Sequence, residues 1–384
     1  MQELVALDIP PGEAFVDAML SAWDQGDAVA PLDPRLPRPA VDDLIELLKP
    51  SRIVGVDGDG ARLDRGLPIQ EGDALVMATS GSTGRPKAVV LTHESLLASA
   101  RATSRRLTID SGRHTWLACL PFAHIGGLAV AIRALLTETP VVILPRFERE
   151  EVEMLAGSGR VSHVSLVAST LKRVDPDLFE RILLGGSAPL SRLPRNTVTT
   201  YGMTETGSGI VYDGEALDGV EIAIESTDSS PDGSGEILVK APMLFRGYRD
   251  GKDPFVSGPD GKRGWFPTGD GGRIAPTGKL KVFGRLAGVI VSGGEKVWPE
   301  SVETVISTHH LVDQVAVWKR PDPEWGERVV AWVVPSDLCA PPPVEELREL
   351  VAQRLAPWAA PKEVEFVASI PRTPSGKPRR NELR

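Results

Sequence analysis

Short apolar runs alternate with amphipathic segments along most of the chain, and this alternation predicts an α/β fold. The runs 141–144 and 164–167 have the length and composition of buried strands, and the segment 150–155 between them has helical spacing. Strands that are apolar on both faces favour a largely parallel sheet covered by helices. A helix at 12–23 and a strand at 52–56 extend the same pattern towards the beginning of the chain.

The pattern changes in the second half of the chain. Beyond Val220 short strands and turns predict an antiparallel, β-rich subdomain. From Arg285 helical and strand patterns restart, as expected for a small α+β domain. We therefore predict a large N-terminal domain of layered sheets and helices, residues 1–284, shortened at its start. A small mobile C-terminal domain, residues 285–384, follows it and ends in a basic, flexible tail at 372–380.

A polar, glycine-rich stretch lies between two of the predicted strands, 74–78 and 88–91. Glycines allow a tight turn that presents backbone N–H groups, and these suit a polyphosphate together with hydroxyls and a cation. Pro86, and the lack of a glycine directly before Lys87, depart from the Walker pattern. A flexible linker is the alternative, but linkers seldom lie between buried strands. The predicted phosphate contacts are Thr79, Ser80, Gly81, Ser82, Thr83, Gly84 and Lys87.

Polar residues also follow later strands of the α/β part. Gly185-Gly186-Ser187 comes after the strand 181–184, and 201–206 comes after the strand 197–200. Open α/β sheets bind ligands at the carboxyl ends of their strands, so both segments are candidate ligand contacts. Thr92, after the glycine-rich stretch, is placed to cap a helix.

Composition limits the function further. The formal net charge of −9 over 384 residues argues against wrapping nucleic acid or lying on an anionic membrane. No apolar run reaches membrane-spanning length, so we expect a cytoplasmic protein without membrane insertion. The two cysteines, Cys119 and Cys339, are far apart in apolar surroundings, which predicts two buried thiols rather than a disulfide or metal cluster.

Six polar clusters together resemble the adenylate-forming superfamily of acyl-CoA and aryl-CoA ligases, adenylation domains and luciferases. In chain order they are 79–87, 121–127, 201–206, 268–270, 284–285 and 371–377. The resemblance implies an ATP- and Mg²⁺-dependent ligase of the AMP-forming type. A carboxylate attacks the α-phosphate of ATP to give an acyl-adenylate and pyrophosphate, and a thiol, usually of coenzyme A, then displaces AMP.

The resemblance also assigns residues to the nucleotide and the metal. It implies that Glu205 is the Mg²⁺ ligand, which suits a hard cation, and that Thr204 contacts the α-phosphate. Tyr201 and Gly202 would lie against adenine, close to Gly185, Gly186 and Ser187. Asp270 would accept hydrogen bonds from the ribose hydroxyls, with Arg285 beside the same sugar.

Two further residues match catalytic positions of the superfamily. Lys377 matches the tail lysine that stabilises charge as the carboxylate attacks phosphorus, although composition alone favours a solvated lysine. His124 matches the histidine of the acyl-binding turn, whereas a lone histidine after a strand is more often a satisfied core residue.

The superfamily performs its second step after a rotation of the C-terminal domain. The resemblance implies that this rotation brings in a thioester-step loop around Gly293 and Gly294. The hinge position is Ala287 here, where the superfamily usually has Asp or Lys. Gly288 could supply the backbone freedom instead, so the hinge stays open between the two.

Weaker signatures concern the acid. The segments 211–214, 217–220 and 165–168 resemble the o-succinylbenzoate–CoA ligases of menaquinone synthesis in actinobacteria. Small residues at 207–209 leave room for an aromatic acid, but no partner for a second carboxylate is evident. Another small aryl- or fatty-acid–CoA ligase, a stand-alone enzyme that loads a carrier protein, and a catalytically silent nucleotide-binding protein stay open. So does assembly as a homodimer.

Overall fold

The computed structural model describes residues 2–58, 60–79, 86–186, 193–226, 233–372 and 378–383. The chain divides into two compact units. The first comprises Met1–Gly185, Pro194–Ala223 and Leu238–Phe266, and the second comprises Gly186–Leu193, Ile224–Ile237 and Pro267–Arg384. In the described part of the chain, no helix combines the length and the apolar character that crossing a membrane requires.

Helices occur in both units. The first unit contains α1 (Glu13–Asp24), α2 (Arg38–Leu48), α3 (His93–Arg106), α4 (Ile125–Leu136), α5 (Arg149–Gly157) and α6 (Ala168–Leu171), and the second contains α7 (Pro299–Ile306) and α8 (Val344–Arg354). Short 3₁₀ helices span Pro176–Leu178, Thr204–Thr206, Leu286–Gly288, Pro357–Ala359 and Arg380–Glu382.

The strands are numbered along the chain. The first group is β1 (Leu4–Asp8), β2 (Ala28–Pro31), β3 (Arg52–Gly55), β4 (Gly60–Arg62), β5 (Asp73–Thr79), β6 (Lys87–Thr92), β7 (Trp116–Ala118), β8 (Val141–Ile143), β9 (His163–Val167), β10 (Arg181–Gly185), β11 (Thr197–Met203), β12 (Ser208–Tyr212) and β13 (Glu215–Ala216). The remainder are β14 (Glu221–Ser226), β15 (Gly235–Lys240), β16 (Gly247–Tyr248), β17 (Val256–Ser257), β18 (Arg263–Ile274), β19 (Leu280–Arg285), β20 (Ile290–Ser292), β21 (Glu295–Val297), β22 (Val312–Asp322), β23 (Gly326–Pro335) and β24 (Glu363–Phe366).

Two seven-stranded sheets organise the first unit. Their strand orders are β16-β6-β5-β2-β1-β3-β4 and β13-β12-β11-β10-β9-β7-β8. In the second of them the strands from β8 to β11 are parallel, as the alternation of strands and helices predicts, whereas β12 and β13 are antiparallel. The α/β class and the layered sheets are thus confirmed.

The first sheet is mixed, whereas the sequence predicts a largely parallel one. Strands β5 and β6 pair antiparallel, as do β6 with β16 and β3 with β4. The connection from β5 to β6 spans only residues 80–86. A parallel pair needs a crossover of about a dozen residues or more, so this connection can form only a hairpin.

Helix α3 begins at the residue predicted to cap it. The Ser95 amide donates to Thr92 Oγ1 at 3.1 Å, and the Thr92 amide donates to Ser95 Oγ at 3.0 Å. This reciprocal pair is a capping box, which satisfies two amides at the helix end and fixes where β6 stops.

The second unit is the expected α+β arrangement. The end of β18 pairs antiparallel with β19, and a further sheet has the order β21-β20-β23-β22, with β24 parallel to β23. Val302, Ile306, Leu347 and Val351 from α7 and α8 share one buried core with apolar residues of that sheet.

The end of the predicted flexible tail is instead anchored. Arg380 Nη1 lies 2.9 Å from Glu300 Oε1, Nη2 lies 2.8 Å from Glu303 Oε1, and Nε donates to the Val317 carbonyl oxygen at 3.1 Å. Glu303 also accepts the Val317 amide at 2.8 Å. The prediction of a flexible tail is therefore wrong at Arg380, because α7 offers two carboxylates that composition alone does not reveal.

Only one of the two cysteines is buried. Cys119 is 1% exposed, and burial raises the pKa of its thiol to about 12. Cys339 is exposed, contrary to the prediction, because it lies in a turn after β23 where its amide donates to Asp337 Oδ1 at 2.8 Å.

Candidate active site

The glycine-rich stretch is bracketed by two residues that face each other. Thr79 ends β5, Lys87 begins β6, and the two are direct cross-strand partners. A hairpin therefore holds both ends of the predicted phosphate loop in one place. The predicted contacts Ser80, Gly81, Ser82, Thr83 and Gly84 lie outside the described residues, as do Ser187 and Lys377.

Thr204 and Glu205 lie in a tightly folded turn after β11. Thr206, fully buried, bonds through its hydroxyl to the Met203 amide at 2.9 Å and to the Ser208 carbonyl oxygen at 2.6 Å. At Gly202 a Cβ atom would lie 2.2 Å from that same carbonyl oxygen, so only glycine fits there. The turn thus presents Thr204 and Glu205 from a constrained backbone.

One tyrosine contacts two of the predicted site residues. The Tyr248 hydroxyl donates to Glu205 Oε1 at 3.0 Å, and Lys87 Nζ lies 4.4 Å from the centroid of the Tyr248 ring. The structure therefore brings Lys87 and Glu205 together, 118 positions apart in sequence, through Tyr248 in β16. Sequence reasoning missed Tyr248, since a two-residue strand at a sheet edge leaves no recognisable periodicity.

Glu205 fits the donor set expected for magnesium. Among the described residues no group of three or more His, Cys, Asp or Glu side chains could hold a metal by itself. Mg²⁺ is commonly bound by one or two carboxylates together with substrate phosphates rather than by a protein cage. A single carboxylate beside the hairpin that brackets the predicted phosphate loop matches this mode, and Glu205 is the residue that would hold the ion.

Gly185 and Tyr201 come from neighbouring parallel strands. Leu184 in β10 pairs with Thr199 in β11, and the Thr200 hydroxyl donates to the Leu184 carbonyl oxygen at 3.2 Å. A Cβ atom on Gly185 would lie 3.4 Å from Thr200 Oγ1. Both residues therefore reach the same edge of the sheet, and their role as adenine contacts stays a prediction. Gly186 follows with φ +97°.

His124 occupies the N-cap position of α4 and is exposed. The hydrogen bond from Arg35 is the largest cause that lowers the pKa of the Asp33 carboxyl, and His124 makes a small electrostatic contribution in the same direction. Arg35 Nη2 and Nε lie 2.6 and 2.8 Å from the Asp33 carboxylate oxygens. The exposed position rules out the reading of His124 as a core histidine, and sequence reasoning missed Asp33 as its neighbour.

Arg133 is buried in α4, with 3% of its surface exposed. Nη2 donates to Ser208 Oγ at 3.1 Å, and the guanidinium lies 5.0 Å from the Trp116 ring. Nε and Nη1 have no hydrogen-bond partner in the part of the chain that the structure describes. Burial lowers the pKa of Arg133, but an arginine stays charged at neutral pH.

A small cavity of about 10 Å³ adjoins Arg133, large enough for one water molecule. Its wall includes Gly207, two residues after Glu205, and Ser99 and Ala100 of α3. The buried guanidinium therefore lies close to the 207–209 segment that the sequence marks as room for an acid. An arginine within the apolar pattern of 125–136 was the available signal, and sequence reasoning missed it.

The predicted ribose contacts adjoin each other in the second unit. Asp270 and Arg285 are cross-strand partners in β18 and β19, and Arg285 Nε lies 3.0 Å from Asp270 Oδ1. Arg285 Nη1 also donates to the Thr268 carbonyl oxygen at 3.0 Å. Asp270 is 7% exposed, so its carboxylate is held in a fixed orientation with its partner.

The predicted thioester-step loop is a two-residue hairpin turn between β20 and β21. Gly293 and Gly294 have φ +59° and +88°, which is the type I′ geometry that favours glycine. A Cβ atom on Gly293 would lie 2.6 Å from the Trp325 ring, so packing also disfavours any residue larger than glycine at this position. Ala287 lies at the middle of the 3₁₀ helix Leu286–Gly288 that follows β19.

Comparisons with known proteins identify the family of this chain. Residues 67–249 match the AMP-binding enzyme family, and residues 301–377 match the C-terminal domain of AMP-binding enzymes. The 2-succinylbenzoate–CoA ligase of Listeria monocytogenes is 35% identical over 341 residues, which cover 81% of this chain and 69% of that protein. A Mycobacterium tuberculosis protein, named a probable 2-succinylbenzoate–CoA ligase, is 38% identical over 335 residues, with coverages of 81% and 84%.

A solved structure resembles the whole chain. The o-succinylbenzoate CoA synthetase of Bacillus subtilis, in complex with the acyl-adenylate intermediate OSB-AMP, has a TM-score of 0.85 and 26% identity. The match covers 100% of this chain and 88% of that one. The same synthetase with ATP and a magnesium ion has a TM-score of 0.84 at 26% identity, with coverages of 99% and 89%.

Proposed function

Because the chain belongs to the AMP-binding enzyme family, as an acid–CoA ligase of the AMP-forming type, we propose that it converts o-succinylbenzoate to its CoA thioester. One carboxylate of the acid attacks the α-phosphorus of ATP, the bond to pyrophosphate breaks, and an acyl-adenylate forms. The thiol of coenzyme A then attacks the acyl carbon, loses its proton and releases AMP.

The observation that supports a dicarboxylic substrate is the incompletely bonded guanidinium of Arg133. A buried cation with two nitrogen atoms, Nε and Nη1, that lack a hydrogen-bond partner among the described residues costs desolvation energy, so it is expected to have a ligand that the chain itself does not supply. A carboxylate is the natural partner, because it accepts charge-assisted hydrogen bonds from a guanidinium. We assign the second carboxylate of o-succinylbenzoate to this guanidinium, which requires the one-water cavity beside Arg133 to open on binding, and the first to the adenylation reaction.

The same proposal assigns roles at the nucleotide. Lys87 and the loop that begins at Thr79 bind the phosphates, while Thr204 contacts the α-phosphate and Glu205 holds Mg²⁺. When bound, Mg²⁺ neutralises charge that develops on the phosphates. Tyr201, Gly202, Gly185 and Gly186 accommodate adenine, and Asp270 with Arg285 binds the ribose. His124 adjoins the reacting carboxylate.

The C-terminal part of the chain, which we place at 285–384, supplies a different group to each step. Lys377 stabilises the charge of the adenylation transition state, and the Gly293-Gly294 turn serves the thioester step. The backbone change between the two steps is assigned to Ala287 and Gly288. Location in the cytoplasm and assembly as a homodimer stay predictions.

The test of this function is product analysis with a panel of acids. Purified protein is incubated with ATP, Mg²⁺, coenzyme A and each acid, and thioesters and acyl-adenylates are measured by mass spectrometry. We expect the o-succinylbenzoate thioester to dominate. Acyl-adenylate without thioester would favour a carrier-protein thiol as acceptor, and absence of both products for every acid would contradict ligase activity.

Two monocarboxylic analogues test the role of Arg133. 4-Oxo-4-phenylbutanoate lacks the ring carboxylate, and 2-butanoylbenzoate lacks the chain carboxylate; the one that reacts identifies the carboxylate that is adenylated. The wild type should prefer o-succinylbenzoate to that analogue by about 100-fold, since loss of one partner of a buried ion pair is costly. Arg133→Met should remove this preference. An unchanged preference would place the second carboxylate elsewhere.

Lys377→Ala tests the assignment of the tail lysine. Adenylation should fall by about 100-fold or more, because one preorganised cation is lost from the transition state. The reaction of coenzyme A with preformed acyl-adenylate should continue. Pyrophosphate release and thioester formation measure the two half-reactions separately, and an equal loss in both would contradict the role.

A further inference from the structure

Tyr248 lies between the two charged side chains assigned to ATP and Mg²⁺. We infer that Tyr248 is a positioning residue for metal-bound ATP, which orients Glu205 through its hydroxyl and separates Glu205 from Lys87 through its ring. The inference rests on the proposed function only in so far as this site binds ATP with a divalent cation. It does not depend on which acid is the substrate.

The Tyr248 side chain is fixed from several directions. Its strand β16 pairs with the edge of the sheet at β6, where Tyr248 is opposite Val89. Its ring packs edge-on against Phe245, with the centroids 5.0 Å apart, and Phe245 is itself buried against Phe255 and Phe266. A side chain held in this way imposes its position on its partners rather than adapting to them.

The same segment fixes the backbone of Glu205. The Phe245 amide donates to the Glu205 carbonyl oxygen at 2.8 Å. Three residues later in the chain, the Tyr248 hydroxyl donates to the Glu205 carboxylate at 3.0 Å. A free glutamate side chain has several rotatable bonds, and binding a metal requires all of them to be fixed. Tyr248 restricts them in advance through Oε1, and no described residue hydrogen-bonds to Oε2, which can therefore bind a metal ion.

The ring of Tyr248 has a second effect. Lys87 Nζ lies 4.4 Å from its centroid, and no ion pair joins Lys87 to Glu205 in the described part of the chain. A lysine and a glutamate that both contact one tyrosine could otherwise pair with each other, which would occupy the groups needed for phosphate and metal. The aromatic face attracts the ammonium without accepting its N–H hydrogens in the way that a carboxylate does.

The Tyr248→Phe variant removes only the hydroxyl. The ring remains to pack on Phe245 and to contact Lys87, so the variant should fold. Mn²⁺ is used as a paramagnetic substitute for Mg²⁺, with α,β-methylene ATP as the nucleotide, and free Mn²⁺ is measured by electron paramagnetic resonance. We expect about tenfold weaker Mn²⁺ binding, the usual loss when a residue that orients a metal ligand is removed. The affinity for the nucleotide in EDTA should not change.

Tyr212→Phe is the matched control. The Tyr212 side chain is fully buried, and its hydroxyl hydrogen-bonds to Thr103 Oγ1 at 3.0 Å. Neither Tyr212 nor Thr103 is assigned to the nucleotide or the metal. This variant should bind Mn²⁺ like the wild type. Equal losses in Tyr248→Phe and Tyr212→Phe, or no loss in Tyr248→Phe, would overturn the inference. A wild-type protein that binds Mn²⁺ equally with and without nucleotide would instead contradict the metal assignment in the proposed function.

Tyr248→Leu also removes the ring and tests the separation of charges. We expect the nucleotide affinity in EDTA to fall about tenfold, because Lys87 can then pair with Glu205 instead of phosphate. Adding Glu205→Gln to this variant should restore that affinity, since the competing carboxylate is gone. Failure of the second substitution to restore it would overturn the separating role of the ring.

Discussion

Two arginines, the partly buried Arg380 and the buried Arg133, lie in different units and differ in how fully they are bonded. Arg380 in the second unit has 20% of its side chain exposed and uses Nη1, Nη2 and Nε on Glu300, Glu303 and the Val317 carbonyl. Arg133 in the first unit is 3% exposed, and within the described residues its only hydrogen bond is from Nη2 to the Ser208 hydroxyl. The more deeply buried cation is the less completely bonded one.

This difference separates a structural charge from one that we assign to a ligand. Folding stability favours a hydrogen-bond partner for every buried donor, because each unpaired buried donor costs free energy. A site that binds a charged ligand must leave some of its donors without partners until the ligand binds. The comparison predicts opposite responses when each arginine is replaced by methionine, an apolar side chain of similar length.

The largest effect is expected for Arg380→Met. The variant leaves the Glu303 carboxylate buried without its cation, which should lower the free energy of unfolding by about 3–5 kcal/mol. Urea denaturation followed by circular dichroism measures the loss. Arg379→Met is the control: its ion pair with Glu382 is exposed, so its removal should cost less than about 1 kcal/mol. Similar losses in both variants would contradict the structural role of the Arg380 anchor.

The loss in free energy of unfolding caused by Arg380→Met should depend on pH. Burial raises the pKa of Glu303 above its usual value of 4.5, and Arg380 opposes this rise. Without Arg380 the pKa of Glu303 in the folded protein rises further above that of the unfolded chain. A carboxyl with a raised pKa contributes stability below the unfolded pKa and loses it as pH rises through the folded pKa. Denaturation at pH 5 and pH 8 should therefore show the smaller deficit at pH 5; a pH-independent deficit would exclude Glu303 as its cause.

The smallest change in stability is expected for Arg133→Met. Removing an incompletely bonded buried charge relieves desolvation, so the variant should unfold within about 1 kcal/mol of the wild type, or at higher denaturant. The same variant should lose its preference for the dicarboxylic acid. Loss of stability comparable to that of Arg380→Met would show that Arg133 is structural, and the contrast between the two arginines would fail.

Sequence patterns predict the parts of the fold that depend on neighbouring residues. The capping box at Thr92 and the strands on either side of the glycine-rich stretch follow from local signals, and the structure contains both. The short connection between β5 and β6 also indicates an antiparallel pair, but the alternation of strands and helices along the chain favours a parallel sheet.

The rest depends on long-range contacts. Tyr248 contacts Glu205, which is 43 positions away, and Arg380 contacts Glu303, which is 77 positions away. Neither pair has a fixed spacing that a pattern could reveal. Arg133 lies within an apolar helix, where a charge is unusual, so the sequence contained a signal there. The assignment of Arg133 to a ligand depends on the absence of partners for Nε and Nη1 among the described residues, which only coordinates can show.

The two cysteines give the chain a built-in labelling site. Cys119 is 1% exposed with a thiol pKa of about 12, so it offers almost no thiolate to a maleimide at neutral pH. Cys339 is exposed in the turn between β23 and α8. The natural sequence should therefore accept a single fluorophore, on its second unit, without any substitution. A dye at Cys339 would let fluorescence follow that unit through both half-reactions in unaltered protein.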